Sequence, residues 1–205
     1  MVLAVHSFLN KYLTQIIIGI VIVGSILGYG FDIPTSYFSY KRNVFNDYFV
    51  KIGWLWTCII AILHMFIIST TKKDLPKREF VLLALYSIIW YTVTKFLFSF
   101  VIYFIPAIDI SGHCFMLILS SLFIRELSLQ TESNYKSLFV QGTQILTLVI
   151  RGIWLLMLFT THIYRFHLIY DAWLGTFFGF AFHYLVIEIV TKYVDQHIFK
   201  QQKYL

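Results

Sequence analysis

Six stretches of apolar sequence, each near the length that crosses a bilayer, take up most of this chain. They cover about 12–31, 49–70, 80–104, 113–126, 138–160 and 168–191. A helix rises 1.5 Å per residue, so about 20 such residues traverse the ~30 Å hydrocarbon core. The fourth stretch is short, stopping at Arg125-Glu126; it either continues through Leu127–Leu129 or starts inside a recess. Of the 205 residues, 59% are hydrophobic and only 13% are Asp, Glu, Lys or Arg. That charged share is about half of what a soluble domain carries, too little to cover so much apolar surface. The expected fold is all-α: a polytopic membrane protein with six transmembrane helices in a single bundle and a lumen-facing cavity. Residues 1–205 read as one domain, with Pro34, Pro76 and Pro106 between spans. Ile16–Leu27 resembles a signal-peptide core, but Tyr29 to Asp32 offers no small-residue cleavage site, so it reads as a retained first span.

Charge placement orients the bundle. The net charge is +6, yet the cations sit between spans and form no basic stripe, which argues against nucleic-acid binding. Two cysteines, Cys58 and Cys114, are too few for a disulfide framework and read as apolar residues. With six spans both termini share a side, and that side collects ten of the 16 Lys and Arg, from Lys11 to Lys203. Lys41, Arg42, Lys51 and Arg165 lie opposite, and Lys95 and Arg151 lie within spans. Cations favour the cytosolic side, so both termini are expected in the cytosol. Segments 32–48, 105–112 and 161–167 then face the other compartment, which brings His113 and His167 to one surface.

Those two histidines carry the chemistry. Ser111-Gly112-His113 opens a helix directly after an irregular loop, where first-turn N–H groups and the helix dipole favour an anion such as phosphate. Gly112 allows close approach to the backbone, and His113 is placed to hydrogen-bond a phosphate oxygen or protonate a leaving group. The plainer reading is a Ser cap beside an interfacial histidine. His167 and Asp171 are spaced i, i+4, which on a helix stacks a carboxylate against an imidazole. The carboxylate then holds one ring nitrogen and leaves the other to attack phosphorus; the plainer reading is a polar helix start. Lys95 and Arg151 lie roughly 14 Å inside their spans with no acid at that depth, which points to a bound anion or snorkelling. Arg165 is a candidate contact for a charged substrate. His162 reads as an interfacial residue and His64 as a hydrogen-bonded structural one. Gly24-x3-Gly28 and Gly175-x3-Gly179 permit close helix packing. No metal is expected, because the histidine spacing fits no compact ligand set, and no cofactor is implied.

Several segments resemble one known family. Phe31-Asp32, Lys41-Arg42-Asn43, Tyr48-Phe49-Val50-Lys51 and Trp54-Leu55-Trp56-Thr57 are similar to the early segments of the fat storage-inducing transmembrane proteins. Asp109 to Phe115 resembles that family's first catalytic motif, and Phe166-His167 with Asp171, Gly175 and Gly179 its second. This family is related to the lipid phosphate phosphatases. The resemblance implies an endoplasmic reticulum membrane protein that cleaves the diphosphate of fatty acyl-coenzyme A on the lumenal side. Acyl phosphopantetheine and adenosine 3′,5′-bisphosphate would be the products, in support of lipid droplet formation and membrane lipid homeostasis. It implies His167 as nucleophile forming a phosphohistidine, His113 as acid, and Asp171 as the group orienting His167. The chain has Asp171-Ala172 where members often carry Glu-Lys, and it lacks the Arg-Pro and Ser-Arg elements of the wider phosphatase superfamily.

Two other readings stand beside this one. A lipid phosphate phosphatase would need a strong cation clamp, which the sequence lacks. A non-catalytic diacylglycerol- or triacylglycerol-binding protein fits the aromatic-rich spans but has no use for the paired histidines. The oligomeric state is left open.

Overall fold

The computed structural model describes residues 2–40, 42–72, 75–131 and 137–195. Helix α1 spans Val2–Gly30 and α2 spans Gly53–Lys72. Helix α3, Lys77–Thr92, runs through a π turn at Val93–Leu97 into α4, Phe98–Phe104. Then come α5, Gly112–Thr131, α6, Leu138–Ile163, and α7, Ile169–Ile189, which ends in a π turn at Val190–Asp195. Counting α3–α4 as one rod, six helices among the described residues are long and apolar enough to cross a membrane.

Helix α5 is the axis of the bundle. Every residue from Cys114 to Ile124 is buried, so this helix has no outer face. A helix apolar all round belongs in a core, and its two serines at 120 and 121 stay within it. The fourth stretch therefore runs on past Arg125-Glu126 to Thr131. That charged pair is half-buried at 4.0 Å and does not end the helix.

Contacts along the rods fix their directions. Helix α7 runs parallel to α5, with Gly175 against Ser111 and Gly179 against Ile118. A Cβ on Gly175 would lie 2.4 Å from the Ser111 carbonyl oxygen, so this crossing requires glycine. Helix α1 runs parallel to α6. Its Gly28 meets the His162 carbonyl at one end, and Asn10 accepts from Arg151 at 2.6 Å towards the other. Helix α3 runs opposite to α5 and α7: Tyr86 stacks on Phe123 and bonds His183, while Phe98 meets Phe115 and Phe178. Between helices in lipid there is little hydrophobic drive, so such close packing and buried hydrogen bonds hold the bundle.

Helices α2, α5 and α7 all start at one end of the bundle, and the described chain ends, Val2 and Asp195, lie at the other. Towards the chain-terminal end, His64 lies between Thr131 at 3.0 Å and Thr147 at 3.2 Å, and Gln144 also donates to Thr131. His64 is thus a structural histidine joining α2, α5 and α6. Helix α1 starts ten residues earlier than expected, because its polar residues His6 and Asn10 are buried and bonded to each other and to Arg151.

Candidate active site

The loop before α5 is tied to the start of α7. Pro106 interrupts the chain after α4, and the Ala107 carbonyl accepts from the Tyr170 hydroxyl at 2.9 Å. The Asp109 N–H donates to Asp171 Oδ1 at 3.0 Å, and the Ser111 N–H to the Asp171 carbonyl at 3.1 Å. Leu168 is the N-cap of α7 and Asp171 its third residue, so the carboxylate sits in the first turn, where an acid complements the helix dipole. One buried carboxylate therefore stands at a helix start and holds the neighbouring loop.

Ser111 caps α5. Its hydroxyl accepts from the Cys114 N–H at 3.3 Å and its carbonyl from Phe115 at 3.1 Å. The Ser111 side chain is fully buried, whereas Gly112 faces open space with nothing within 4 Å of where a Cβ would stand. An approaching anion thus meets the backbone at Gly112, and the Ser111 hydroxyl is already engaged.

His113, on the first turn of α5, and His167, just before α7, place their ring centroids 6.2 Å apart with planes at 47°. Both are half-buried. The helical stacking expected of His167 and Asp171 does not arise, because α7 begins at Ile169 and His167 lies outside it. Asp171 lies close enough to His167 for their charges to interact, and its bonds tie the start of α7 to the loop before α5. Beneath the pair sits His162, which is buried rather than interfacial. Its Nδ1 pairs with the Ser25 hydroxyl at 3.2 Å and its Nε2 faces Cys114 Sγ at 4.0 Å; the Trp173 indole also donates to Ser25 at 3.1 Å. Nothing in the sequence pointed to Ser25 or Trp173. His162 carried a signal in its place one helical turn before the α6–α7 junction.

The three expected cations lie apart. Arg165 turns its guanidinium onto the Gly28 and Phe31 carbonyls at the end of α1. Arg151 is fully buried and donates to Asn10; eleven residues of helix, roughly 16 Å, separate it from His162. Lys95 is exposed on the π turn of the third span.

Six membrane-crossing helices that gather two imidazoles at the start of two parallel helices define a polytopic membrane protein with a candidate two-histidine site. The family profile described as "Fat storage-inducing transmembrane protein" matches residues 34–104. Acyl-coenzyme A diphosphatase FITM2 from Homo sapiens is 30% identical, over 85% of this chain and 80% of its own length. The same-named proteins of Danio rerio, 29% identical over 90% and 86%, and Xenopus laevis, 31% identical over 88% and 84%, are similar too. The chain belongs to the fat storage-inducing transmembrane family. No solved structure matches it.

Proposed function

We propose that this protein is a membrane-embedded hydrolase that cleaves the diphosphate bond of fatty acyl-coenzyme A. The observation that carries it is the pair of imidazoles with ring centroids 6.2 Å apart at the mouths of two parallel helices. That gap admits one phosphoryl group between them, with the Gly112 backbone open beneath it. The activity for which the similar proteins are named, acyl-coenzyme A diphosphatase, supports the substrate class.

In the proposed reaction, one ring nitrogen of His167 attacks a phosphorus of the diphosphate. A nitrogen–phosphorus bond forms as the bridging phosphorus–oxygen bond breaks, and His113 gives its proton to the departing oxygen. Water then attacks the phosphohistidine, with His113 taking a proton from it, and frees His167. The products are acyl phosphopantetheine and adenosine 3′,5′-bisphosphate. Asp171 keeps His167 oriented. The amides at the start of α5, with its dipole, meet the phosphate charge. The acyl chain stays in the surrounding lipid. The protein resides in the endoplasmic reticulum membrane with its termini cytosolic and its histidines lumenal, and its products feed membrane lipid and lipid droplet formation.

The test is direct. Purified protein in detergent is offered oleoyl-coenzyme A, and adenosine bisphosphate is followed for wild type, His113→Ala and His167→Ala. The proposal expects release by wild type and losses of about 100-fold or more in both variants, as for removal of positioned acid–base groups. Release indifferent to both substitutions removes the site assignment. Phosphate freed from phosphatidic acid instead identifies a lipid phosphate phosphatase, and no turnover of either substrate leaves the lipid-binding reading.

A further inference from the structure

Arg165 is the one non-glycine residue among the described residues whose backbone is left-handed, with φ 52°. The cause is the way α6 ends. The Phe166 N–H donates to the Thr161 carbonyl at 3.2 Å and the Arg165 N–H to the His162 carbonyl at 3.4 Å. This pair of bonds makes a Schellman ending with Arg165 at the position that glycine usually fills. An L-residue is disfavoured there because its Cβ crowds the following carbonyl oxygen. A side chain at this position is therefore informative, and here it reaches across to α1. Its Nε donates to the Gly28 carbonyl, in the last turn of α1, and its Nη2 to the Phe31 carbonyl just past it, an end that a cation complements. Its guanidinium also lies 5.0 Å from the Tyr29 ring centroid. The Tyr29 hydroxyl in turn donates to the His167 carbonyl at 3.4 Å.

We infer that Arg165 and Tyr29 form a positioning clamp that fixes His167 against the end of α1, and that Arg165 is not a substrate contact. His167 lies outside any helix, so its backbone is held by neighbours and not by a helical ladder. On its C-terminal side Asp171 ties α7 to the loop before α5; on its N-terminal side this clamp joins the α6 ending to α1. A second link runs alongside it, from the Ser36 hydroxyl to the Tyr164 hydroxyl at 2.6 Å, with Tyr164 stacked on Phe166. The inference rests on His167 being the attacking group of the proposed hydrolysis.

Arg165→Gly separates the alternatives, because glycine takes the left-handed backbone without strain while deleting the clamp. Expected for Arg165→Gly are thermal stability at or above wild type and KM for oleoyl-coenzyme A within twofold. Its kcat is expected to fall about 10- to 100-fold, the scale of a small misplacement of a reacting group. Tyr29→Phe should lower kcat several-fold with KM unchanged. A raised KM at unchanged kcat in Arg165→Gly would make Arg165 a substrate contact and overturn the clamp. Retention of both constants would leave Arg165 a helix ending only, which also overturns it. Hydrogen–deuterium exchange reads the clamp without activity: amides 166–168 should exchange faster in Arg165→Gly than in wild type. If wild type fails to turn over oleoyl-coenzyme A, the hydrolase reading falls, and unchanged exchange would defeat the clamp independently.

Discussion

Asp171 shows how much one residue does at this site. Its carboxylate accepts from the Asp109 N–H, its carbonyl from the Ser111 N–H, and it lies near His167, all from a buried position. Asp171→Asn keeps an acceptor oxygen but removes the charge, so the loop should stay in place while His167 loses its negative neighbour. The expected result is a fall of about 10- to 100-fold in kcat with thermal stability near wild type. Asp171→Ala removes both roles and should also lower stability by about 1 kcal/mol, the net worth of a part-buried hydrogen bond. Unfolding midpoints and initial rates on the two variants check this; equal stabilities would show that the loop does not depend on the carboxylate. The gathering of His113, His167 and Asp171 at one end of the bundle was legible from residue type and spacing. How Asp171 acts was not, because i, i+4 spacing implies stacking only if both residues are helical, and the local caps start α7 at Ile169.

At the scale of elements, the site depends on α5 and α7 starting side by side. The Gly175-x3-Gly179 stripe sets that spacing, and the sequence pattern announced it. Gly175→Ala pushes a methyl group against the Ser111 carbonyl, which is backbone and cannot rotate away. It should cost about 1–3 kcal/mol of stability and, by shifting the mouth of α5, most of the activity. Gly112→Ala, which meets open space, should leave stability nearly unchanged while hindering anion approach. A thermal shift comparison of the two separates packing from access. The buried polar groups near the other end were less legible. From sequence Arg151 read as an anion contact or a snorkelling cation and His64 as a hydrogen-bonded structural residue, and only the fold shows their partners Asn10, Thr131 and Thr147 on other helices. Arg151→Leu is accordingly expected to lower the unfolding midpoint while leaving KM for oleoyl-coenzyme A within twofold; a raised KM with unchanged stability would return Arg151 to the substrate.

For the whole molecule, the even count of spans is what makes neighbours of residues 54 positions apart in sequence. Apolar length and the placement of prolines were enough to read that count, since hydrocarbon thickness sets span length regardless of packing partners. Span boundaries were less visible: α5 continues past a charged pair, and α1 includes the polar His6 and Asn10, which have buried partners. The account depends on the two imidazoles working as one unit on one diphosphate. The most direct measurement is a double-substitution cycle on purified protein, comparing rates of adenosine bisphosphate release from oleoyl-coenzyme A for His113→Ala, His167→Ala and the combined variant. Groups that serve one transition state are non-additive, so the combined variant should be no slower than the slower single one. Losses that multiply, or a single variant at wild-type rate, would contradict it.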